Sequence, residues 1–315
     1  MSNSPLPQTI DCHYLQPRFA AAYLLTEGDE AAFVETNTTH AVPRLLDALQ
    51  ARGMKPEQVR YVVITHVHLD HAGGASALMR ACPNATLLAH PRAAPHVIDP
   101  SRLVASARKV YGDEPFRQLY GEILPVDAAR VRIMQDEEKL SWGSRTLHFF
   151  HTRGHANHHF CIHDSASNGV FTGDAFGLAY PVMQDRGLFI FPSTSPTDFD
   201  PDEARKAVRR IAGSGAARAY LTHYGEVTAL REAEAQLLDH LDFADALLQR
   251  AIQSDLPDDK LASFCEAELR ARFQRILEQR GLSLDAATAE LIKLDLDLNG
   301  QGIAYVAVKR RAKPA

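Results

Sequence analysis

The sequence has little cysteine, no long hydrophobic run and no excess of positive charge. Its four cysteines, Cys12, Cys82, Cys161 and Cys265, are scattered and form no C-x-x-C pair, which argues against a disulfide framework and for a reduced, cytoplasmic protein. No apolar stretch reaches the roughly 20 residues that a membrane helix needs. No charged-then-apolar leader opens the chain, and that supports the same compartment. With 34 basic and 39 acidic residues the net charge is −5, so neither a nucleic acid nor a membrane is expected as partner. No basic stripe interleaved with aromatics is present either. The short basic end (Lys309, Arg310, Arg311, Lys313) reads as a solvated tail. What remains, 45% hydrophobic and 23% charged residues over 315 positions, is globular composition for one large domain or a domain with an extension.

What is abundant is histidine. There are fifteen, and they cluster. Thr65-His66-Val67-His68-Leu69-Asp70-His71 places four metal-binding side chains within six residues. The segment follows Tyr61-Val62-Val63-Ile64, an apolar run that reads as a buried strand, and precedes Gly73 and Gly74. Packing gives little reason to crowd three imidazoles and a carboxylate at a strand end. Coordination does, because imidazole nitrogen and carboxylate oxygen are the usual ligands of zinc and neighbouring metals.

The surrounding pattern is that of an α/β protein. Ala20–Leu25 and Ala31–Glu35 read as a hairpin about Glu27-Gly28-Asp29. A helix is expected over Val42–Arg52, with Pro43 in its first turn and Gly53 past its end. Strand 60–65, a helix from Gly74 to Cys82 and strand 86–90 complete a β, α, β, α, β order. Residues 95–125 interrupt it with a helical insertion. Strands are expected again at 131–134, 146–151, 159–163, 169–172 and 217–222, with turns at Asp136-Glu137-Glu138 and Ser141-Trp142-Gly143 and a helix at 201–212. From 226 the chain reads as helical. Leu230, Leu237, Leu241, Ala244 and Leu248 draw an apolar stripe, which packs inward or serves as a homodimer surface. A second helix covers 258–280, and Leu284–Val308 reads as mixed. The expected division is residues 1–225 as catalytic domain and 226–315 as a mainly helical extension packed on the core.

Three more features follow apolar strands: Gly154-His155, Thr172-Gly173-Asp174 and Thr222-His223-Tyr224-Gly225. Open sheets usually place their sites at strand ends. In extended chain His66 and His68 point the same way. Asp70 and His71 come a turn later. Seven ligands exceed one tetrahedral zinc and suit two ions sharing a bridge.

This series, H-x-H-x-D-H followed by a single His, a single Asp and a single His, resembles the metallo-β-lactamase-fold hydrolases over about residues 18–225. Its ligand pattern is similar to that of glyoxalase II and of acyl-homoserine lactonases. The resemblance implies a four-layer αββα sandwich with metals at one edge between the sheets. It implies that His66, His68 and His155 bind a first metal, that Asp70, His71 and His223 bind a second, and that Asp174 bridges. The metals would be two divalent ions, zinc first, with iron or manganese as alternatives. The implied reaction is attack of a metal-bridging hydroxide on the carbonyl of an ester, thioester, lactone or amide, with Asp70 or a metal-bound water protonating the leaving group. Two divalent ions, two aspartates and one hydroxide leave a charge of about +1, which suits a small acyl-bearing or anionic substrate. The same scaffold also serves mononuclear iron sulfur dioxygenases, and a metal-containing ligand-binding or regulatory protein with little turnover is a third alternative.

Three positions depart from the family pattern without removing a ligand. Thr152-Arg153-Gly154-His155-Ala156 replaces T-P-G-H-T, Thr222-His223 replaces Gly-His, and Val34-Glu35-Thr36-Asn37 replaces I-D-T-G. Neither the glyoxalase II nor the lactonase substrate therefore carries over directly. Tyr180 and Tyr224 are candidates to polarise a carbonyl or protonate a leaving alkoxide. Phe176, Tyr111, Phe116 and Tyr120 are candidates to line an apolar pocket roofed by the insertion. His159 and His151 read as supporting residues, His90 and His96 as loop polars, and Cys161 as a buried thiol. Asp295-Leu296-Asp297-Leu298-Asn299-Gly300 matches half of an EF-hand loop, but Val306 stands where the bidentate Glu is required, so calcium is rejected.

Overall fold

The computed structural model describes residues 6–194 and 198–312. The chain divides into two compact units. The first comprises residues 1–151, 158–173 and 216–228, the second 152–157, 174–215 and 229–315.

Two six-stranded mixed sheets make up the first unit among the described residues. One contains, in spatial order, β1 (Gln8–Asp11), β2 (Ala21–Glu27), β3 (Glu30–Val34), β4 (Val59–Val63), β5 (Thr86–Ala89) and β6 (Val131–Ile133). Strands β3 to β6 run parallel. The other contains β7 (Lys139–Trp142), β8 (Arg145–His151), β9 (Phe160–Asp164), β10 (Gly169–Gly173), β11 (Arg218–Leu221) and β12 (Gly225–Val227), with β10 and β11 parallel and the rest antiparallel.

Alternation along the strands explains the layering. Tyr23 and Leu25 of β2 point with Val34, Val63, Phe149, Phe160, Ile162 and Phe171 into the core between the sheets. Ala22, Leu24, Phe33 and Val62 point the other way, toward α1 (Val42–Ala51), α2 (Leu69–Ala72) and α3 (Ala75–Ala81). Burying each large apolar side chain contributes about 1.5–3 kcal/mol. The insertion at 95–125 is helical, as expected. It consists of α4 (Ala94–Ile98), α5 (Ser101–Tyr111) and α6 (Asp113–Tyr120).

The second unit is helical. Its first helix is α7 (Pro201–Ala212), capped by Asp200, which accepts from the Asp202 and Glu203 amides. Arg205 of α7 pairs with Asp242 and Asp245 of α8 (Leu230–Gln253). The expected stripe at Leu237, Leu241, Ala244 and Leu248 is buried within this unit. Helix α9 (Leu261–Arg280) ends at Gly281, whose φ of 63° is left-handed. Among the described residues no helix is long and apolar enough to cross a membrane.

Four expectations need correction. The segment 284–308 is not mixed: from Ala286 on it lies in one helix, α10 (Ala286–Arg311), and the EF-hand look-alike sits inside it. Ile292, Leu296, Asn299, Ile303 and Ala307 bury one face at helical spacing, which outweighs the local Asp-Leu alternation. Arg311 is no solvated tail: it donates to the Ala251, Ile252, Ser254 and Leu256 carbonyls and so caps the end of α8. Lys313 lies outside the described residues. Ser141 and Trp142 belong to β7, and the turn is at Gly143-Ser144. Strands β1 and β12 also went unexpected. All three of these strands lie at sheet edges, where pairing on one side only leaves a short, weak apolar signal.

Candidate metal centre

Parallel β3, β4 and β5 all deliver their following residues to the same sheet edge. After β4 the chain bends at Thr65 and His66 and reaches His68, the extended N-cap of α2, so Asp70 and His71 share one helical turn. The His66 ring lies 4.5 Å from His68 and 4.0 Å from His71, centroid to centroid. The segment after β3 pins this loop. Thr36 Oγ1 donates to the His71 carbonyl and Asn37 Nδ2 to the Asp70 carbonyl, each at 2.8 Å. Gly74 is obligatory because a Cβ there would stand 2.6 Å from the Thr36 carbonyl oxygen. His223 follows β11, and its ring lies 5.4 Å from that of His71.

Asp70, His71 and His223 converge, each offering one ligand atom, with these atoms within 4.8 Å of one another. Asp70 Oδ2 lies 3.3 Å from His223 Nε2 and 3.7 Å from His71 Nε2. The other ring nitrogens face protein groups. His223 Nδ1 donates to the Phe19 carbonyl at 2.9 Å. His71 Nδ1 faces Glu35 Oε1 at 3.4 Å. His66 Nδ1 meets Thr65 Oγ1 at 3.0 Å, and that hydroxyl donates onward to Glu35. Neutral imidazoles held in this way turn Nε2 lone pairs toward a carboxylate. Such acceptors repel one another unless a cation joins them, so the donor set fits a metal ion.

In the second unit His155 and Asp174 repeat the arrangement. His155 Nε2 lies 3.6 Å from Asp174 Oδ2, while His155 Nδ1 donates to the Ser193 carbonyl at 3.3 Å. Both side chains are buried. The fold therefore places five of the expected ligands in the first unit and two in the second.

Glu35 is a candidate that the motif does not single out. It appears there only as a departure from I-D-T-G. Its signal was an acid ending an apolar strand, and here it is fully buried between His71 and Thr65. Glu35→Gln is expected to lower metal affinity about 10–100-fold, the usual cost of losing an outer partner of a ligating histidine. Competition with a fluorescent chelator measures it, and an unchanged affinity would deny Glu35 this role.

The remaining candidates sort by location. Phe116 and Tyr120 are buried against Leu69, the residue between His68 and Asp70, so the insertion packs on the ligand loop. Tyr111 is instead 42% exposed, with its ring 5.8 Å from that of Tyr120. Phe176 and Tyr180 are buried in the second unit. Tyr224 lies under Arg18, whose guanidinium is 5.7 Å from the ring centre. Burial, helped by Asp11 and opposed by Arg18, raises its phenol pKa, so it stays protonated at neutral pH. His159 is buried with its ring 4.9 Å from His66.

His90 is not a loop polar. It is buried against His151, ring centroids 4.1 Å apart, and its Nδ1 accepts from the Arg92 amide. Burial first, then His151, His158 and Arg92, lowers its pKa to about 3. The unfolded chain binds this proton near pH 6.5, whereas the fold refuses it. Stability contributed by neutral His90 is therefore full above that pH and falls as pH drops toward 3. His90→Gln should flatten that acid-side loss in urea midpoints measured between pH 7 and 4; an unaltered slope contradicts the assignment.

The family model of the metallo-beta-lactamase superfamily matches residues 15–223, and the chain belongs to that superfamily. Among individual relatives, the lactamase-like protein aptB of Emericella nidulans is 26% identical over 170 residues, 53% of this chain and 44% of that protein. The atrochrysone carboxyl ACP thioesterase of the same organism is 23% identical over 59% of this chain and 53% of its own. This chain spans about half the length of the curated relatives it matches. The solved structure of the superfamily protein ST1585 from Sulfolobus tokodaii superposes with a TM-score of 0.66 at 19% identity, covering 94% of this chain and 97% of that one. That likeness shows the fold: the α/β sandwich of the superfamily, here with a helical C-terminal extension.

Proposed function

We propose that this chain is a metal-dependent hydrolase of acyl bonds in small molecules. The observation that carries the reading is the convergence of Asp70, His71 and His223, with His223 Nδ1 bonded to the Phe19 carbonyl and His71 Nδ1 facing the Glu35 carboxylate. In this reading Asp70, His71 and His223 would hold a divalent ion in the first unit, and His155 and Asp174 are the ligand candidates of the second. Zinc suits the donor set, and iron or manganese are tolerated. When bound, such ions supply a nucleophile at neutral pH and a Lewis acid for a carbonyl oxygen.

The protein's own part is orientation. Glu35, Thr65 and the Phe19 and Ser193 carbonyls hold the imidazoles. Asp70 is the carboxylate placed to pass a proton to a leaving group. Tyr180 and Tyr224 are further donor candidates, tested by Phe substitution. Thioesters are the preferred class within esters, thioesters, lactones and amides, because one relative is named a thioesterase. The four buried free cysteines support a reducing compartment, the cytoplasm in this reading.

The deciding experiment pairs metal analysis of protein purified without added metal with a panel of thioesters, esters and lactones. Two metals per chain with turnover are expected. One iron per chain with oxygen consumption would assign the dioxygenase alternative. Tight binding without product would assign a regulatory one.

A further inference from the structure

We infer that Asn299, on the C-terminal helix, is a positioning residue that sets the tautomer and aim of His155. The inference rests on the reading of His155 as a metal ligand, and every contact in it lies within the second unit.

The geometry is a bracket. Asn299 Oδ1 accepts from the Thr194 amide at 2.7 Å, and Asn299 Nδ2 donates to the Pro192 carbonyl at 3.1 Å. One side-chain amide thus grips the backbone on both sides of Ser193. Thr194 Oγ1 adds a bond to the Asn299 carbonyl at 3.0 Å. Asn299 and Thr194 are both buried, so water does not compete for these groups. The gripped residue, Ser193, presents its carbonyl to His155 Nδ1 at 3.3 Å. A carbonyl only accepts, so Nδ1 must carry the proton. That leaves the lone pair on Nε2, the atom 3.6 Å from Asp174.

A side chain in the middle of a helix has no need to reach out to a loop. Asparagine is also a poor helix former there, and its cost is met only if the loop contact matters. The bracket gives the C-terminal helix a task at the candidate centre: it fixes the acceptor that fixes the ligand.

The test uses full-length protein labelled with 15N histidine. In metal-free wild type, His155 should show a protonated Nδ1 and an unprotonated Nε2. Asn299→Ala should convert this to a tautomer mixture and weaken zinc binding at least about 10-fold. Asn299→Asp, which keeps the Thr194 bond but sets an oxygen against the Pro192 carbonyl, should act in the same direction and serves if the alanine variant does not fold. Asp297→Asn is the control for general loosening of α10, because it breaks the pair with Arg270 and leaves the bracket intact. It should leave the His155 nitrogens unmoved. The inference is overturned if folded Asn299 variants keep wild-type His155 shifts, or if Asp297→Asn shifts them equally. If wild type binds no metal, the hydrolase reading fails and the nitrogen shifts alone still decide this one.

Discussion

Asp70→Ala is expected to strip metal from the Asp70, His71 and His223 group and to lower turnover by on the order of 1,000-fold or more. The physical reason is local. Asp70 is the only carboxylate in that group, and its Oδ2 faces both Nε2 atoms. Without it, the two imidazoles left in that group supply no negative charge of their own to hold a dication. Metal content per chain and steady-state rates on the best substrate of the panel measure the effect together. Asp70→Asn separates charge from shape: it keeps the volume and one oxygen, and should lose most of the metal as well. Full metal content and near-normal turnover in either variant would remove Asp70 from the centre.

The largest expected effect on stability comes from Arg145→Ala, about 3–5 kcal/mol. Arg145 opens β8 with its side chain only 2% exposed, against the fully buried Asp164 of β9. Its guanidinium also faces Glu27 at the end of β2 and donates to the Thr26 carbonyl, so it ties the two sheets together. Asp164 has other donors in Ser167 and Ala166, but none brings a positive charge. Removing the arginine therefore leaves a buried carboxylate without its counter-ion. Urea unfolding should show a lower midpoint at an unchanged slope. The double variant Arg145→Met, Asp164→Leu removes both charges and should recover a good part of the loss. A single-variant cost under about 1 kcal/mol would mean that the pair is worth no more than a surface one.

How much of this was legible beforehand follows from where the information lies. The clustering of His66, His68, Asp70 and His71 was readable because these residues are neighbours in sequence and follow an apolar strand. The helical insertion and α8 were readable because their apolar periodicity is local. Helix α10 was misread because Asp295 to Gly300 mimics a loop over six positions, whereas burial at Leu296, Asn299 and Ile303 follows the helical period. His90 was misjudged for the same reason. A histidine after a strand looks solvated until the partners that bury it, His151 and Phe160, are placed beside it.

By itself the sequence determined the chemistry on offer: five histidines and two aspartates at strand ends, an α/β order and a helical C-terminal part. These are properties of side-chain type and short-range spacing. Only the tertiary structure decided how that chemistry is aimed. Glu35 meets His71 across 36 positions, Phe19 fixes His223 across 204, and Asn299 holds the loop behind His155 from more than 100 residues away. Such contacts carry no local signature, because a hydrogen bond to a ring nitrogen depends on where two backbones meet and not on what lies beside either in the chain.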